Sequence, residues 1–246
     1  VQFIGIDANR QDKLEEIAEY GRQHKITFPL LQDVGNHVAD ALGAERTPEV
    51  FLLDNQQVVR YYGLIDDQYG IGYVRDKIEE SPLASALEDV LEGRPVAMPT
   101  VSAVGCIIGR VPQREATGNI TFSKQIAPLL NKHCVSCHRA GEVAPFELTS
   151  YEKAVGWGGM IEEVVREGRM PPWHANPAHG KFRNDARLTD DEKELIATWV
   201  KNGAPEGEVA DLPKPPEFTD GWQIGKPDVV YKMPKAYEVP AQGVVE

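Results

Sequence analysis

The amino-acid sequence predicts a multidomain protein in which an α/β domain precedes an all-α domain. Strand-like and helix-like patterns alternate over residues 1–97, and only helical patterns occur over residues 119–207. Between them, residues 98–118 hold several Pro and Gly residues and show no sustained periodicity, which is typical of a linker or of a strap along the first domain. Residues 208–246 open with a proline-rich segment and are expected to be a linker and the start of a further β-rich module.

The α/β domain is expected to begin with a strand in VQFIGIDA, because this mostly apolar run is typical of a strand buried on both faces. A helix should follow, opened by Asn9 and Asp12. The positions predicted to share its buried face are Leu14, Ile17, Ala18 and Gly21. FPLL is short and apolar, and NHVADALGA predicts a brief helix that ends at Gly43.

The second half of this domain is predicted to be a hairpin followed by a helix. EVFLLD and VVRYYGLI flank the polar turn DNQQ, which is the pattern of two antiparallel strands. The last helix, PLASALEDVLEG, has Pro82 at its first position and ends at Gly93. Strands that alternate with helices in this way indicate a layered α/β domain.

Three helical segments are predicted over residues 119–207, and the first, TFSKQIAPLLNKHC, leads into a cysteine motif. In the second, SYEKAVGWGGMIEEVVREG, the predicted buried positions are Ala154, Met160, Ile161, Val164 and Val165. The third, TDDEKELIATWVKNG, has a capping box formed by Thr189 and Glu192 and ends at Gly203. Its apolar stripe consists of Leu195, Ile196 and Trp199.

Composition limits the classes of partner. A formal net charge of −12 disfavours nucleic acid and anionic lipid, because either would need a basic face, and it would steer a basic docking partner toward the protein. The longest apolar run, VSAVGCIIGRV, is interrupted by Gly105, Gly109 and Arg110, so no transmembrane segment is expected. The chain starts in a strand without an initiator Met, and we expect it to be an interior piece of a longer protein.

The motif that bears most on function is HCVSCH at residues 133–138, which holds two of the chain's three cysteines. A thioredoxin-type dithiol lies between a strand and a helix, whose N-terminus lowers the pKa of the first thiol, whereas this motif follows an amphipathic helical stretch. A structural zinc site needs four ligands, and without a second CxxC it would have to recruit His133, His174 or His179. CxxCH is also the signature of covalent c-type haem attachment. Met170, ahead of two prolines that stiffen the chain, could then supply a sixth ligand.

The order of CVSCH, MPPW and the closing helix LTDDEKELIATWVKNGAP resembles a small c-type cytochrome domain. The resemblance implies haem c, with its iron, as the cofactor. The implied haem-binding residues are Cys134 and Cys137 as thioether anchors, His138 as proximal iron ligand and Met170 as distal iron ligand. The sequence departs from the pattern at His174, which is equally able to bind iron, so the sixth ligand stays open between the two. Covalent haem attachment in this family implies a periplasmic or exported bacterial protein.

The surroundings of the haem are predicted less directly. His138 should donate its second ring N–H to a carbonyl, and Pro145 in GEVAPF is placed to offer one. His133 is expected on the surface rather than as a ligand. Two alternatives stay open for Trp157, Trp173 and Trp199: they pack on the haem, or they are ordinary aromatic residues of the core. Two alternatives also stay open for the basic residues Arg166, Arg169, Arg183 and Arg187: they pair with the haem propionates, or they lie on a solvated helix face.

Residues 1–97 resemble the latter part of a thioredoxin-like fold of the redoxin group, through FIGIDAN, RTPEVFLLD and the hairpin that follows. The resemblance implies a cis Thr47–Pro48 bond, with an ordinary trans proline at a strand start as the alternative. It also implies an incomplete domain, because the family's reactive cysteine lies ahead of the strand that begins at Val1. The leftover thiol, Cys106, is either a small buried hydrophobe or a resolving thiol for a cysteine upstream.

Two functional hypotheses follow. In the first, the protein is an electron carrier whose haem exchanges single electrons with a redox partner protein, and no residue is catalytic. In the second, it is a thiol-disulfide oxidoreductase or a peroxiredoxin-like enzyme whose reactive cysteine lies upstream of this chain. If there is no such cysteine, the first domain would be a binding or docking scaffold.

Overall fold

The computed structural model describes residues 1–110, 117–173, 175–219 and 225–235. The chain divides into two compact units, residues 1–214 and residues 215–246. We refer to residues 1–110 as the α/β part and to residues 117–214 as the helical part of the first unit. In the second unit, where a β-rich module was expected to start, the described residues 215–219 and 225–235 contain no strand.

The α/β part consists of short strands and three helices. In chain order they are β1 (Gly5–Asp7), α1 (Leu14–Gln23), β2 (Leu30–Gln32), α2 (His37–Leu42), β3 (Arg46–Thr47), β4 (Val50–Leu53), β5 (Val59–Gly63), β6 (Tyr69–Gly70), β7 (Tyr73–Val74), α3 (Pro82–Leu91), β8 (Thr100–Val101) and β9 (Cys106–Ile107). The predicted hairpin is confirmed, since β4 and β5 pair antiparallel. The helices predicted before Gly43 and after Ser81 are confirmed as α2 and α3.

These strands form several small sheets. β1 pairs with β2 in parallel, β6 pairs with β7, and β4, β5 and β8 form a three-stranded sheet. The segment 98–110 runs along the α/β part as a strap, because its strand β8 pairs in parallel with β5 and its strand β9 pairs antiparallel with β3. The second pairing places Cys106 directly opposite Thr47.

The first strand and helix are more exposed than their patterns predict. β1 covers three residues of VQFIGIDA, and the apolar side chains around it are exposed, including Val1, Phe3, Ile4 and Ile6. On α1 only Ile17 is buried, whereas Leu14 and Ala18 are exposed. An apolar run is buried on both faces only when a layer packs on each of them, and the described residues supply no such layer here.

The described residues of the helical part form four α-helices. They are α4 (Ala127–His133), preceded by a π-helical turn at Phe122–Ile126, α5 (Tyr151–Val155), α6 (Gly158–Arg166) and α7 (Asp190–Lys201), with 3₁₀ turns at Pro177–His179 and Val209–Asp211. The single helix predicted from SYEKAVGWGGMIEEVVREG is two helices, with a break at Gly156 and Trp157. The capping box of α7 is confirmed, since the Thr189 hydroxyl accepts from the Glu192 N–H and the Glu192 carboxylate accepts from the Thr189 N–H.

The main hydrophobic core lies in the helical part. Its fully buried centre is Trp199, which packs against Phe122 and donates its indole N–H to the Pro205 carbonyl at 3.0 Å. The other large side chains of this core include Ile126, Leu130, Val135, Ile161, Val165, Leu188 and Ile196. Of the positions predicted on α5 and α6, Ala154, Ile161 and Val165 are buried, and Met160 and Val164 are half-buried. A second, smaller cluster in the α/β part consists of Ala39, Ala44 and Ile108.

The two parts of the first unit meet where the strap passes α6. The Ile107 N–H lies 3.5 Å from the Met160 sulfur. Gln11 packs between Gly109 and Gly156, where a β-carbon would lie 2.1 Å and 2.4 Å from its amide oxygen. Gly109 therefore requires glycine, because a β-carbon there would also lie 2.6 Å from the Gly156 carbonyl oxygen, whereas at Gly156 the close atoms belong to the Gln11 side chain alone.

Two X-Pro peptide bonds among the described residues are cis. Thr47–Pro48 is cis, as the redoxin resemblance implied, and Met170–Pro171 is cis as well. In the part of the chain that the structure describes, no helix combines the length and apolar character that crossing a bilayer requires.

We expect Trp199→Phe to lower the free energy of unfolding by about 2 kcal/mol, because it removes core volume and leaves the Pro205 carbonyl without its indole donor. Urea denaturation followed by far-UV circular dichroism measures this. Val209→Ala is the control, since Val209 is 74% exposed and its truncation should change stability by less than about 0.5 kcal/mol. Equal midpoints for the two variants would contradict the central role of Trp199.

Candidate functional site

The cysteine motif forms a helical turn that continues from α4. The Cys134 carbonyl accepts hydrogen bonds from the Cys137 N–H at 3.0 Å and from the His138 N–H at 2.9 Å. Val135, between the cysteines, is 2% exposed and anchors the turn in the core of the helical part. The CxxCH residues therefore lie on one rigid turn instead of in a mobile loop.

His138 is oriented by a single backbone acceptor. Its Nδ1–H donates to the Phe146 carbonyl at 3.1 Å, which leaves Nε2 with a free lone pair. A carbonyl acceptor was predicted, but it belongs to Phe146 and not to Pro145, the residue before it. Burial lowers the pKa of His138, and the hydrogen bond to Phe146 acts in the opposite direction. The lowered pKa favours the neutral ring, which is the form that a metal-ligating imidazole takes.

An aromatic stack supports the imidazole from one side. The Phe146 ring lies 4.6 Å from the His138 ring, and Trp157 stacks on Phe146 at 4.1 Å with an interplanar angle of 13°. The loop between Cys137 and Phe146 is closed by the Leu148 N–H, which donates to the His138 carbonyl at 2.9 Å. Since Trp157 and Phe146 pack against the main core, the orientation of His138 is tied to the packing of α5 and α6.

The two thiols of the motif differ in environment. Cys134 is half-buried, Cys137 is exposed, and the two are not joined in a disulfide. Burial, and then the proximity of Cys137, raises the pKa of Cys134 to about 12. A catalytic dithiol needs the opposite shift, because the thiolate is the nucleophile. The thioredoxin-type interpretation of this CxxC is therefore disfavoured by the environment of its first thiol.

A zinc site has little support in the described residues. No group of three or more His, Cys, Asp or Glu side chains among them is arranged to hold a metal ion. His179 is exposed on a 3₁₀ turn, and His174 lies outside the described residues. His133, which would have to join the cysteines, bonds instead to Glu192 on α7.

His133 is not the surface residue that was expected. Its side chain is 11% exposed, and its Nε2 lies 3.0 Å from Glu192 Oε1, which also accepts from Lys132 at 2.8 Å. Burial raises the pKa of Glu192, but the hydrogen bonds from Lys132 and from the Thr189 backbone outweigh it and lower the pKa to about 2. This contact fixes the end of α4, and with it the cysteine turn, against the start of α7.

Met170 lies just past the end of α6. Gly168 adopts a left-handed φ of 73°, and the N–H groups of Arg169 and Met170 both donate to the Val164 carbonyl, at 2.9 Å and 3.1 Å. The Met170 side chain is 41% exposed and lines a cavity of about 460 Å³. Its other walls include Val165, Pro171, Arg187, Leu188 and Lys193.

The structure brings Cys134, Cys137 and His138 together on one turn, and it places Met170 in the same helical part beside an open cavity. None of the three turn residues is among those that line this cavity. Met170 therefore stays a predicted ligand, and so does its alternative, His174.

The remaining aromatic and basic candidates separate into distinct environments. Trp199 is a core residue and Trp157 supports Phe146, whereas Trp173 packs edge-on against Phe182 at 5.9 Å. The Trp173 indole N–H is buried and lacks a hydrogen-bond partner in the described residues. Three of the basic side chains form ion pairs with neighbouring carboxylates: Arg166 with Glu162, Arg169 with Glu163 and Glu167, and Arg187 with Asp185. The fourth, Arg183, is exposed.

Cys106 is exposed on β9 and lies opposite Thr47, the residue before the cis proline. Its interpretation as a small buried hydrophobe is therefore wrong. The pattern AVGCIIG suggested burial because it is apolar, but β9 is a two-residue strand at the edge of a two-stranded sheet.

Comparison with known proteins bears on the α/β part. Residues 1–62 match the model of the AhpC/TSA family, and no curated protein matches the sequence. A hypothetical protein from Sinorhizobium meliloti 1021, known from its crystal structure, is 30% identical in sequence to this chain. The match has a TM-score of 0.40 and covers 44% of this chain and 61% of that protein. An uncharacterized conserved protein from Geobacillus kaustophilus is 27% identical, with a TM-score of 0.40 over 48% of this chain and 62% of that one.

The chain thus spans less than two thirds of the length of these two solved proteins. The family match ends at Tyr62 and does not reach the helical part. It supports a redoxin-like α/β domain at the start of the chain and makes no statement about haem.

We expect Glu192 to contribute stability that is lost in acid. Its pKa is lowered from 4.5 to about 2 in the folded protein, so its contribution is complete above pH 4.5 and disappears as the pH falls toward 2. Urea midpoints of the wild type and of Glu192→Gln, measured across this range, should differ most above pH 4.5 and converge near pH 2. A difference that stays constant with pH would contradict the assignment.

Proposed function

We propose that the helical part holds one covalently attached haem c and that the protein transfers single electrons. The observation that carries this proposal is the Cys134–His138 turn. It presents two thiols and a neutral imidazole whose Nδ1–H is held by the Phe146 carbonyl and whose Nε2 is available. This donor set is the one that c-type haem attachment requires.

The residues fit the group in two further respects. The described residues contain no cluster of three His, Cys, Asp or Glu side chains, which argues against a zinc site. It does not argue against haem, because haem iron is already bound by four porphyrin nitrogens and needs only axial ligands from the protein. The buried Trp173 N–H has no acceptor in the described residues, and a haem carboxylate at that position would satisfy it.

In this proposal each residue has a separate task. Cys134 and Cys137 form the two thioether bonds, and His138 Nε2 is the proximal ligand. The Phe146 carbonyl keeps the imidazole in the tautomer that ligation needs. Met170 is the distal ligand. It is exposed on a non-helical segment and lines a cavity, so there is space beside its side chain for the haem. His174 is the alternative that the test must separate from it.

The bound haem would supply an iron that cycles between the ferric and ferrous states. The protein's own contribution is to fix both axial side chains and to keep water from the imidazole face with Phe146 and Trp157. With both axial positions filled by side chains, no group of the protein is asked to act as a catalytic acid, base or nucleophile. The excess of acidic residues, with a net charge of −12, would orient a redox partner protein through a basic docking face.

Covalent haem attachment would also place the protein in the bacterial periplasm or outside the cell. The spectroscopic test is therefore made on protein exported in a host with cytochrome c maturation. We expect haem that remains with the polypeptide after denaturation and organic extraction, and a weak long-wavelength ferric band that reports thioether coordination.

Matched variants assign the residues. Cys134→Ser with Cys137→Ser should abolish covalent haem, and Met170→Leu should retain the haem and lose the long-wavelength band. A colourless wild-type protein would overturn the proposal, whereas a coloured one without the band would move the sixth ligand to His174.

A second function is supported by a separate observation, the match of residues 1–62 to the AhpC/TSA family. The family match supports this thiol-based hypothesis and gives no support for haem. Such an enzyme would need a reactive cysteine ahead of Val1, because Cys106 is the only cysteine before the helical part. Cys106 is exposed and lies opposite Thr47, which would suit a resolving thiol.

The coding sequence ahead of Val1 tests this second function. A cysteine codon between a predicted strand and a predicted helix would support a thiol enzyme, and Cys106→Ser in the longer protein should then slow disulfide resolution. The absence of that cysteine would leave the α/β part as a docking scaffold.

A further inference from the structure

An ionic network joins the α/β part to the helical part through one carboxylate. Glu163 on α6 accepts from Arg46 on β3, with Nη2 and Oε2 2.6 Å apart, and from Arg169, with Nη2 and Oε1 2.6 Å apart. Arg46 and Glu163 are 117 positions apart in the sequence, so this contact depends on the tertiary structure. Arg46 Nη1 also lies 3.4 Å from Oε1, so this one carboxylate binds guanidinium groups from two parts of the chain.

Both arginines are fixed by additional contacts. Arg46 Nη1 donates to the Gly105 carbonyl at 2.9 Å, which ties it to the strap. Arg169 Nε donates to Glu167 at 2.6 Å, which folds its side chain back along α6. Each guanidinium therefore contacts two acceptors, and a rigid planar fork loses little freedom when it forms several hydrogen bonds.

The network is more sheltered than an ordinary surface ion pair. The Glu163 side chain is 17% exposed and those of Arg46 and Arg169 are 29% exposed. The hydrogen bond from Arg46, more than any other contact, lowers the pKa of Glu163. Exposed pairs such as Arg22 with Glu19 contribute little, because water and salt screen them, whereas a half-buried network retains more of its attraction.

The position of the network relative to Met170 suggests what it does. Arg169 directly precedes Met170, and the N–H groups of both residues donate to the Val164 carbonyl. The backbone of Met170 is thus anchored to the end of α6, and Arg169 is held there by Glu163 and Glu167. Loss of these contacts would allow the segment after Gly168 to move away from α6.

We propose that Glu163 and Arg169 position Met170, and that Arg46 makes this positioning depend on the docked α/β part. The proposal rests on the haem function proposed above, in which Met170 is the distal ligand. It assigns the α/β part a role in the helical site that needs no thiol chemistry. Loss of the Arg46 contact would weaken Met170 ligation while leaving Cys134, Cys137 and His138 in place.

The test measures how firmly Met170 holds its ligand position against added imidazole. Ferric wild-type protein and Arg46→Gln are titrated with imidazole, and loss of the long-wavelength thioether band is followed. We expect half-displacement of Met170 in Arg46→Gln at an imidazole concentration about tenfold lower, which corresponds to about 1.4 kcal/mol. Covalent haem content should be the same in both proteins.

Arg60→Gln is the matched control. Arg60 also lies on a strand of the α/β part and pairs with Asp54 at 2.7 Å, but that pair stays within the α/β part. The charge change is identical, so a shift in Arg60→Gln equal to that in Arg46→Gln would reveal a general charge effect and overturn the proposal. An unchanged midpoint in Arg46→Gln would overturn it as well.

Failure of the proposed function gives a different result. If wild-type protein carries no covalent haem or lacks the thioether band, the haem function or the assignment of Met170 falls, and this inference falls with it. If Arg46→Gln does not fold, Arg46→Lys replaces it, because lysine keeps the charge but cannot bind Glu163 and Gly105 with a planar fork. An intermediate midpoint for Arg46→Lys supports the proposal, and a wild-type midpoint contradicts it.

Discussion

The hydrogen bond from the His138 Nδ1–H to the Phe146 carbonyl is the constraint on which the site depends. It selects the tautomer, fixes the plane of the imidazole and leaves Nε2 available, all through a backbone group that substitution of the Phe146 side chain would not remove. The Phe146 ring then places Trp157 beneath the same loop. The site is therefore as rigid as the core against which that stack packs.

A second constraint acts at the junction between the α/β part and the helical part. Gln11 occupies the space between Gly109 and Gly156, and the Ile107 N–H faces the Met160 sulfur. Arg46 adds charge to this contact through Glu163. Shape and charge thus act at the same place, which favours one arrangement of β9 against α6.

Sequence reasoning succeeded where the signal was local. The capping box at Thr189 and the hairpin of β4 and β5 each depend on a few neighbouring residues, and the cis bond before Pro48 was implied by the resemblance to the redoxin group. It failed where burial or pairing depends on a distant partner. The exposure of Ile6 and Cys106 follows from which layers are present, and the bond between His133 and Glu192 spans 59 positions. In the site, the pattern predicted a carbonyl partner for His138, but only the fold identifies Phe146 as its source.

The strap has a consequence for where this polypeptide can be divided. A cut at the end of the family match, or at the change of periodicity near residue 97, would separate β5 from β8 and β3 from β9. The excised helical fragment would keep Ile107 beside Met160, but it would lose Gln11, the side chain that fills the space beside Gly156. The two parts are thus interdependent in their architecture, and a shuffled gene that exchanged either one would have to carry residues 98–110 with the partner those residues fit.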